Sequence, residues 1–237
     1  MGIKSRKFGI AIAVFALASW AGMAQAGPIS LFEYEINIDG NLNGTYESDV
    51  LPGSVDDSLF DYDSGLGTLT VSVSGAGAHY LGLFVDHEID ETINTFFNED
   101  GNFVGTAAAG QSWEIDEPGY VDGDIFENFQ LNTLDNGVGT SVYGDTTFPD
   151  DVSMALGWDV TLDATQTATA TFILSEIMPS TDFFLTQWDP DSNFKAIYFS
   201  SNLTIEGGGQ VPEPASVLLL GIGLLGLAGI RRRMNKA

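Results

Sequence analysis

The chain has 237 residues, a net charge of −25 and no cysteine. A surface that negative repels nucleic acid phosphates and anionic lipid headgroups, which excludes both as partners. The missing cysteines exclude a disulfide framework, and a charged fraction of 17% with 11% aromatic residues excludes a disordered chain.

In chain order, Lys4, Arg6 and Lys7 form a positive start and Phe8 to Trp20 an apolar run. Ala24-Gln25-Ala26 then supplies a small-x-small cleavage site, with cleavage read by Ala24 and Ala26. Residues 1–26 are therefore predicted to be a secretory signal peptide, helical in its apolar part, engaged by Sec-type export machinery. The positive-inside bias leaves Lys4 to Lys7 in the cytoplasm.

Residues 27–206 form the predicted body. All but one of the 33 acidic residues lie between Gly27 and Gln210, and Lys195 is the lone base there. Leu31 to Ile38 alternates, with Phe32, Tyr34, Ile36 and Ile38 on the inner face and Glu33, Glu35 and Asn37 on the outer, as a half-buried strand does. Asp39-Gly40-Asn41 and Asn43-Gly44 signal turns, and Thr45 to Ser58 reads as loop. Gly67 to Ser74 alternates again. His79 to Asp86 is apolar on both faces and so predicts a central strand, with a long acidic connection from Asp86 to Gln111 behind it.

A short strand is expected at Ser112 to Ile115 and one or two helical turns in Asp124 to Leu134. Further strands are expected at Val152 to Leu162, Thr167 to Leu174, Phe183 to Trp188 and Ala196 to Ile205. Short alternating strands with Gly/Asp turns and little helical periodicity predict an all-β, antiparallel β-sandwich, with a closed barrel as its nearest competitor. Trp113, Trp158 and Trp188 are expected in its core, and Thr165, Thr167, Thr169 and Thr171 on a solvated sheet face.

Two acidic stretches have the oxygen ligands that Ca2+ takes: Asp86, Glu88 and Asp90 around His87, and Asp189 with Asp191 before Ser192 and Asn193. Neither is an EF-hand loop, since Phe194 stands where that loop needs Gly and Ser200 where it needs Glu. Solvated loops are the alternative for both. His79 and His87, the two histidines, are read as unrelated, and no other cofactor is expected. No nucleophile elbow, phosphate-binding Gly loop or zinc-protease motif is present, and the expectation is a protein without catalytic activity.

Residues 207–210 are a Gly-rich linker, and 211–237 form a tail of three parts. Val211-Pro212-Glu213-Pro214 comes first, then an uncharged apolar run from Ala215 to Ile230, then Arg231-Arg232-Arg233. A run without charge before a basic stop predicts a single membrane-inserted apolar helix with the arginines on the cytoplasmic side. This order resembles the PEP-CTERM sorting signal, in which Val211, Pro212, Glu213 and Pro214 match the sorting motif and Arg231, Arg232 and Arg233 the membrane stop.

The resemblance implies processing by an exosortase after a transient stay in the inner membrane, then release to the cell envelope or outside. The body stretches Phe60 to Thr68, Phe84 to Asp90, Asp151 to Trp158 and Asp189 to Ser192 resemble those of an uncharacterised domain of such exported proteins. The function expected is a non-catalytic component of the envelope or of an exopolysaccharide-rich biofilm matrix. A polysaccharide- or Ca-dependent binding module is the second option and a glycoside hydrolase the third.

Overall fold

The computed structural model describes residues 29–45, 50–90, 98–119, 123–139 and 151–208. The signal-peptide helix, its cleavage site, the sorting motif, the apolar helix and the membrane stop lie outside the described residues. Among those described, no helix is long and apolar enough to cross a membrane.

The chain opens with β1 (Ile29–Ile38), β2 (Asn41–Gly44), β3 (Val55–Asp61), β4 (Leu66–Ser74) and β5 (Gly77–Ile89). It continues through β6 (Asp100–Gly105), β7 (Gln111–Asp116), the helix α1 (Ile125–Leu131) and β8 (Gly137–Val138). It closes with β9 (Ser153–Leu162), β10 (Gln166–Ser175), β11 (Phe183–Asp189) and β12 (Lys195–Gly207). Two six-stranded sheets result, one ordered β2-β1-β5-β9-β7-β8 and the other β3-β4-β10-β12-β11-β6. Every pairing is antiparallel except β7 with β8. Each sheet keeps two edges, so the fold is the expected β-sandwich and not a barrel.

Alternation builds the core between the sheets. Leu69, Val71, Ala168, Ala170, Phe172, Leu174, Leu185, Ile197 and Phe199 of the second sheet meet Leu81, Leu83, Val85, Met154, Leu156 and Trp158 of the first. Trp113 joins them, while Trp188 lies half-buried on the outer face of the second sheet, so only two of the three expected tryptophans are core. The central strand β5 sits where its two apolar faces demand, with Phe84 on the face away from the main core.

That second face is covered, which corrects the reading of β1. Glu33, Glu35 and Asn37 are buried instead of solvated, and a bulge between Leu31 and Glu33 leaves Phe32 63% exposed. Over Phe84 and Ala155 the cover is α1, whose Ile125 and Phe129 pack with them and Leu134 in a small core of their own. Gly82 and Gly157 are cross-strand partners beneath it. A Cβ at Gly82 would lie 2.8 Å from the Phe129 ring, and one at Gly157 would lie 2.2 Å from the Tyr80 hydroxyl. The missing side chains make the trough that receives both rings.

Asn37 latches the far end of the helix, its Nδ2 donating to the Phe129 carbonyl and to Asn132 Oδ1, both at 2.8 Å. Its Oδ1 accepts the Gly40 N–H at 2.9 Å in the β1–β2 turn, where Asp39 (φ 54°) and Gly40 (φ 80°) take left-handed conformations. The other differences from expectation are local. The stretch read as loop ends in β3, the acidic connection contains β6, Asn43-Gly44 belongs to β2, and β5 continues three residues past Asp86.

Candidate functional site

Because Asp86, His87 and Glu88 lie within β5, strand alternation splits them. Asp86 and Glu88 face the α1 side, where the register sets Glu33, Asp86, Ser153 and Asp116 in one row across four strands. The next row carries Glu35, Phe84, Ala155 and Glu114. Burial pushes Asp86 well above the ordinary carboxylate range, and the charges of Asp151, Glu88, Glu33 and Glu99 push it further. His87 points the other way, its Nε2 3.3 Å from the Gly65 carbonyl, and burial lowers it to about 4.

The remaining predicted ligands, Asp90, Asp189 and Asp191, come together at the end of the sandwich where β5 stops and β11 turns into β12. Asn98 Nδ2 spans Asp189 Oδ1 (3.2 Å) and Asp191 Oδ2 (3.3 Å). The Ser192 hydroxyl spans Asp90 Oδ2 at 3.4 Å and Asp189 Oδ2. Asp189 Oδ1 also accepts the N–H groups of Asp191 (2.7 Å) and Ser192 (3.2 Å), so this buried carboxylate is already richly hydrogen-bonded by its own turn. The structure thus joins three of the five predicted ligands and sets Asp86 and Glu88 on a sheet face apart from them.

Glu99, next to this end, takes the Ile89 N–H at 3.1 Å and the Gln187 side-chain amide, which also donates to the His87 carbonyl at 2.7 Å. Burial raises Glu99 to about 9 despite those donors. His79 is separate: its Nδ1 lies 2.8 Å from Asp39 Oδ2 and its Nε2 3.2 Å from the Gly75 carbonyl. Donation of its Nδ1–H to the Asp39 carboxylate raises its pKa. The two histidines share no site.

A third group was not singled out from the sequence. Glu114 and Asp116 on β7 and Asp124 at the start of α1 bring one carboxylate oxygen each within 4.8 Å of one another. Burial pushes Glu114 up to about 8 and Asp116 up to about 6. The only signal in the sequence was the i, i+2 acidic pair on a strand. The third member stands at the N-cap of α1 and reaches the pair only in the fold.

Among the described residues a shallow cavity of about 360 Å3 lies between β6 and β7, lined by Phe103, Trp113 and Phe183 with Gln111 and Asn136. No carboxylate lines it.

No curated protein and no solved structure matches the chain. A family model described as the PEP-CTERM protein-sorting motif matches residues 210–233. Those residues contain Val211 to Pro214, the apolar run and Arg231 to Arg233, in the order that the motif requires. By that motif the chain is a PEP-CTERM protein, exported and sorted by an exosortase.

Proposed function

We propose that the tail holds the translocated body at the inner membrane while an exosortase acts at Val211 to Pro214, and that the released sandwich is a non-catalytic component of the envelope or extracellular matrix. The observation that carries this reading is the fixed order of motif, apolar run and arginines in the matched residues. Three arginines on the cytoplasmic side resist translocation, so the motif is presented at the outer surface of the bilayer.

In the native host, Glu213→Ala, or deletion of Arg231 to Arg233, is expected to leave unprocessed protein in the membrane. Mass spectrometry of the fractionated cells reads the outcome. A mature mass and location identical to wild type would overturn the proposal.

A second reading, contact with a neutral polysaccharide, is favoured by the open face of the second sheet. There Thr70, Thr171 and Asn202 stand in one row, with Asp56 at its β3 end, and Ser72, Thr169 and Thr204 in the next. Trp188 and Tyr198 lie half-buried on the same face and offer ring surfaces for stacking on sugars. Polysaccharide pull-down with the full chain in detergent tests it. Trp188→Ala is expected to weaken capture by about tenfold, and equal capture by wild type and variant would count against this face.

A further inference from the structure

We propose that Glu114, Asp116 and Asp124 form a Ca2+ site on the outer face of the first sheet, at the point where α1 begins. The three contributing oxygens all lie within 4.8 Å of one another, so one point stands no more than about 2.8 Å from each. Ca2+ takes carboxylate oxygens at about 2.3–2.6 Å and tolerates an irregular shell, whereas Mg2+ demands about 2.0–2.1 Å and a near-ideal octahedron. The donor set holds neither His nor Cys, which selects a hard cation over zinc.

Clustering alone would not make a site, because the chain is rich in carboxylates. The independent observation is Asp116. It is only 4% exposed, and its buried Oδ1 has no hydrogen-bond partner. Its Oδ2 accepts the Asp124 N–H at 3.0 Å, which holds the carboxylate beside Asp124. Its flanks are Gly123 and Gly139, where a Cβ would stand 2.8 Å from Oδ2 and 1.8 Å from Oδ1 respectively. The fold has therefore made room for a buried carboxylate and left one of its two oxygens, Oδ1, without a hydrogen-bond partner, which is costly unless something pairs with it.

The other two members are disposed to the same end. Glu114 is oriented by Asn128 Nδ2 at 3.0 Å and by the Asp135 N–H at 3.0 Å. Asp124 occupies the N-cap of α1 yet makes no side-chain capping bond. Among the described residues the lone lysine pairs with Glu176 at 3.5 Å, away from this group. The turn around Asp189, by contrast, supplies its carboxylate with N–H and O–H donors from its own residues and from Asn98.

The test uses the full chain in detergent, stripped with chelator and titrated with CaCl2, with MgCl2 at equal ionic strength as the control for screening. Ca2+ is expected to raise the melting temperature by about 5–10 °C at a free concentration about 100 times the dissociation constant, and Mg2+ by far less. Asp124→Asn is expected to weaken Ca2+ binding at least about tenfold in calorimetry while leaving the chelator-treated melting temperature unchanged or higher, because Asp124 is exposed and caps nothing. Asp191→Asn is expected to bind Ca2+ as wild type does. A wild type that does not respond to Ca2+, or an Asp124→Asn variant that binds it undiminished, would overturn the proposal. So would loss of binding in Asp191→Asn alone, which would place the ion in the Asp189 turn.

Discussion

Replacing Phe172 by Ala is expected to cost about 3–5 kcal/mol of stability, several times the effect of an ordinary surface substitution. Phe172 is fully buried on β10 and its ring lies 6.2 Å from that of Phe199 on β12, so the two fill the middle of the second sheet's inner face. Truncation removes the apolar contact area and leaves a void, because strands pinned on both sides by ladders cannot close over it. β10 is flanked by β4 and β12 along nearly its whole length, which is that condition. For a body of this size the loss corresponds to a fall in melting temperature of roughly 10 °C. Phe103→Ala on the edge strand β6, where the side chain is 40% exposed, should cost under about 1.5 kcal/mol. Chemical denaturation of both variants checks the contrast, and equal losses would show that the core does not lie where β10 and β12 place it.

Stability is also expected to fall as pH rises from 5 to 9, the reverse of the usual behaviour of a protein whose carboxylates are ion-paired. Glu99 moves from 4.5 to about 9 on folding, and Asp86 moves up from 3.8, in both cases because burial disfavours the charged form. Between the unfolded and folded values the native state holds protons that the unfolded chain has released. Raising the pH through that window therefore favours unfolding, for Glu99 between 4.5 and about 9 and for Asp86 in the same sense. His87 acts in the opposite sense: lowered from 6.5 to about 4, it is neutral in the fold, and its contribution is lost as pH falls below 6.5. The decline should thus steepen above pH 6.5, where His87 no longer opposes the carboxylates. Melting temperatures across this range in chelator read the effect. Glu99→Gln should flatten the alkaline limb, and a melting temperature that climbs from pH 5 to 8 would refute the assignment.

The sequence made parts of this architecture plain and hid others for physical reasons. The strands β4 and β10 were legible because one face of each is truly solvated, so Leu69, Val71, Ala168 and Phe172 alternate cleanly with Thr and Ser. The face of β1 was not, because alternation reports polarity rather than exposure. Glu33, Glu35 and Asn37 are polar yet buried beneath elements drawn from elsewhere in the chain. The edge strands β3 and β6 escaped notice since an edge tolerates Asp, Asn and Gly, the same residues that mark turns. Acidic runs drew attention at Asp86 to Asp90 and at Asp189 to Asp191 because contiguity is visible in one dimension. Glu114, Asp116 and Asp124 meet only after a strand and a helix start are folded against each other, which no local pattern records. The sorting tail lies at the other extreme, since its meaning rests on linear order and needs no fold to be read.

The solitary lysine of the body has a consequence for survival outside the cell. Between Gly27 and Gln210 only the Lys195–Ala196 bond follows a basic residue. It lies at the head of β12, where Lys195 is laddered to Asp189 and Ala196 to Trp188. A protease of trypsin-like specificity has to peel that strand from the sheet before it finds anything to cut. The exported domain is shielded from this class of enzyme by composition first and by backbone pairing second.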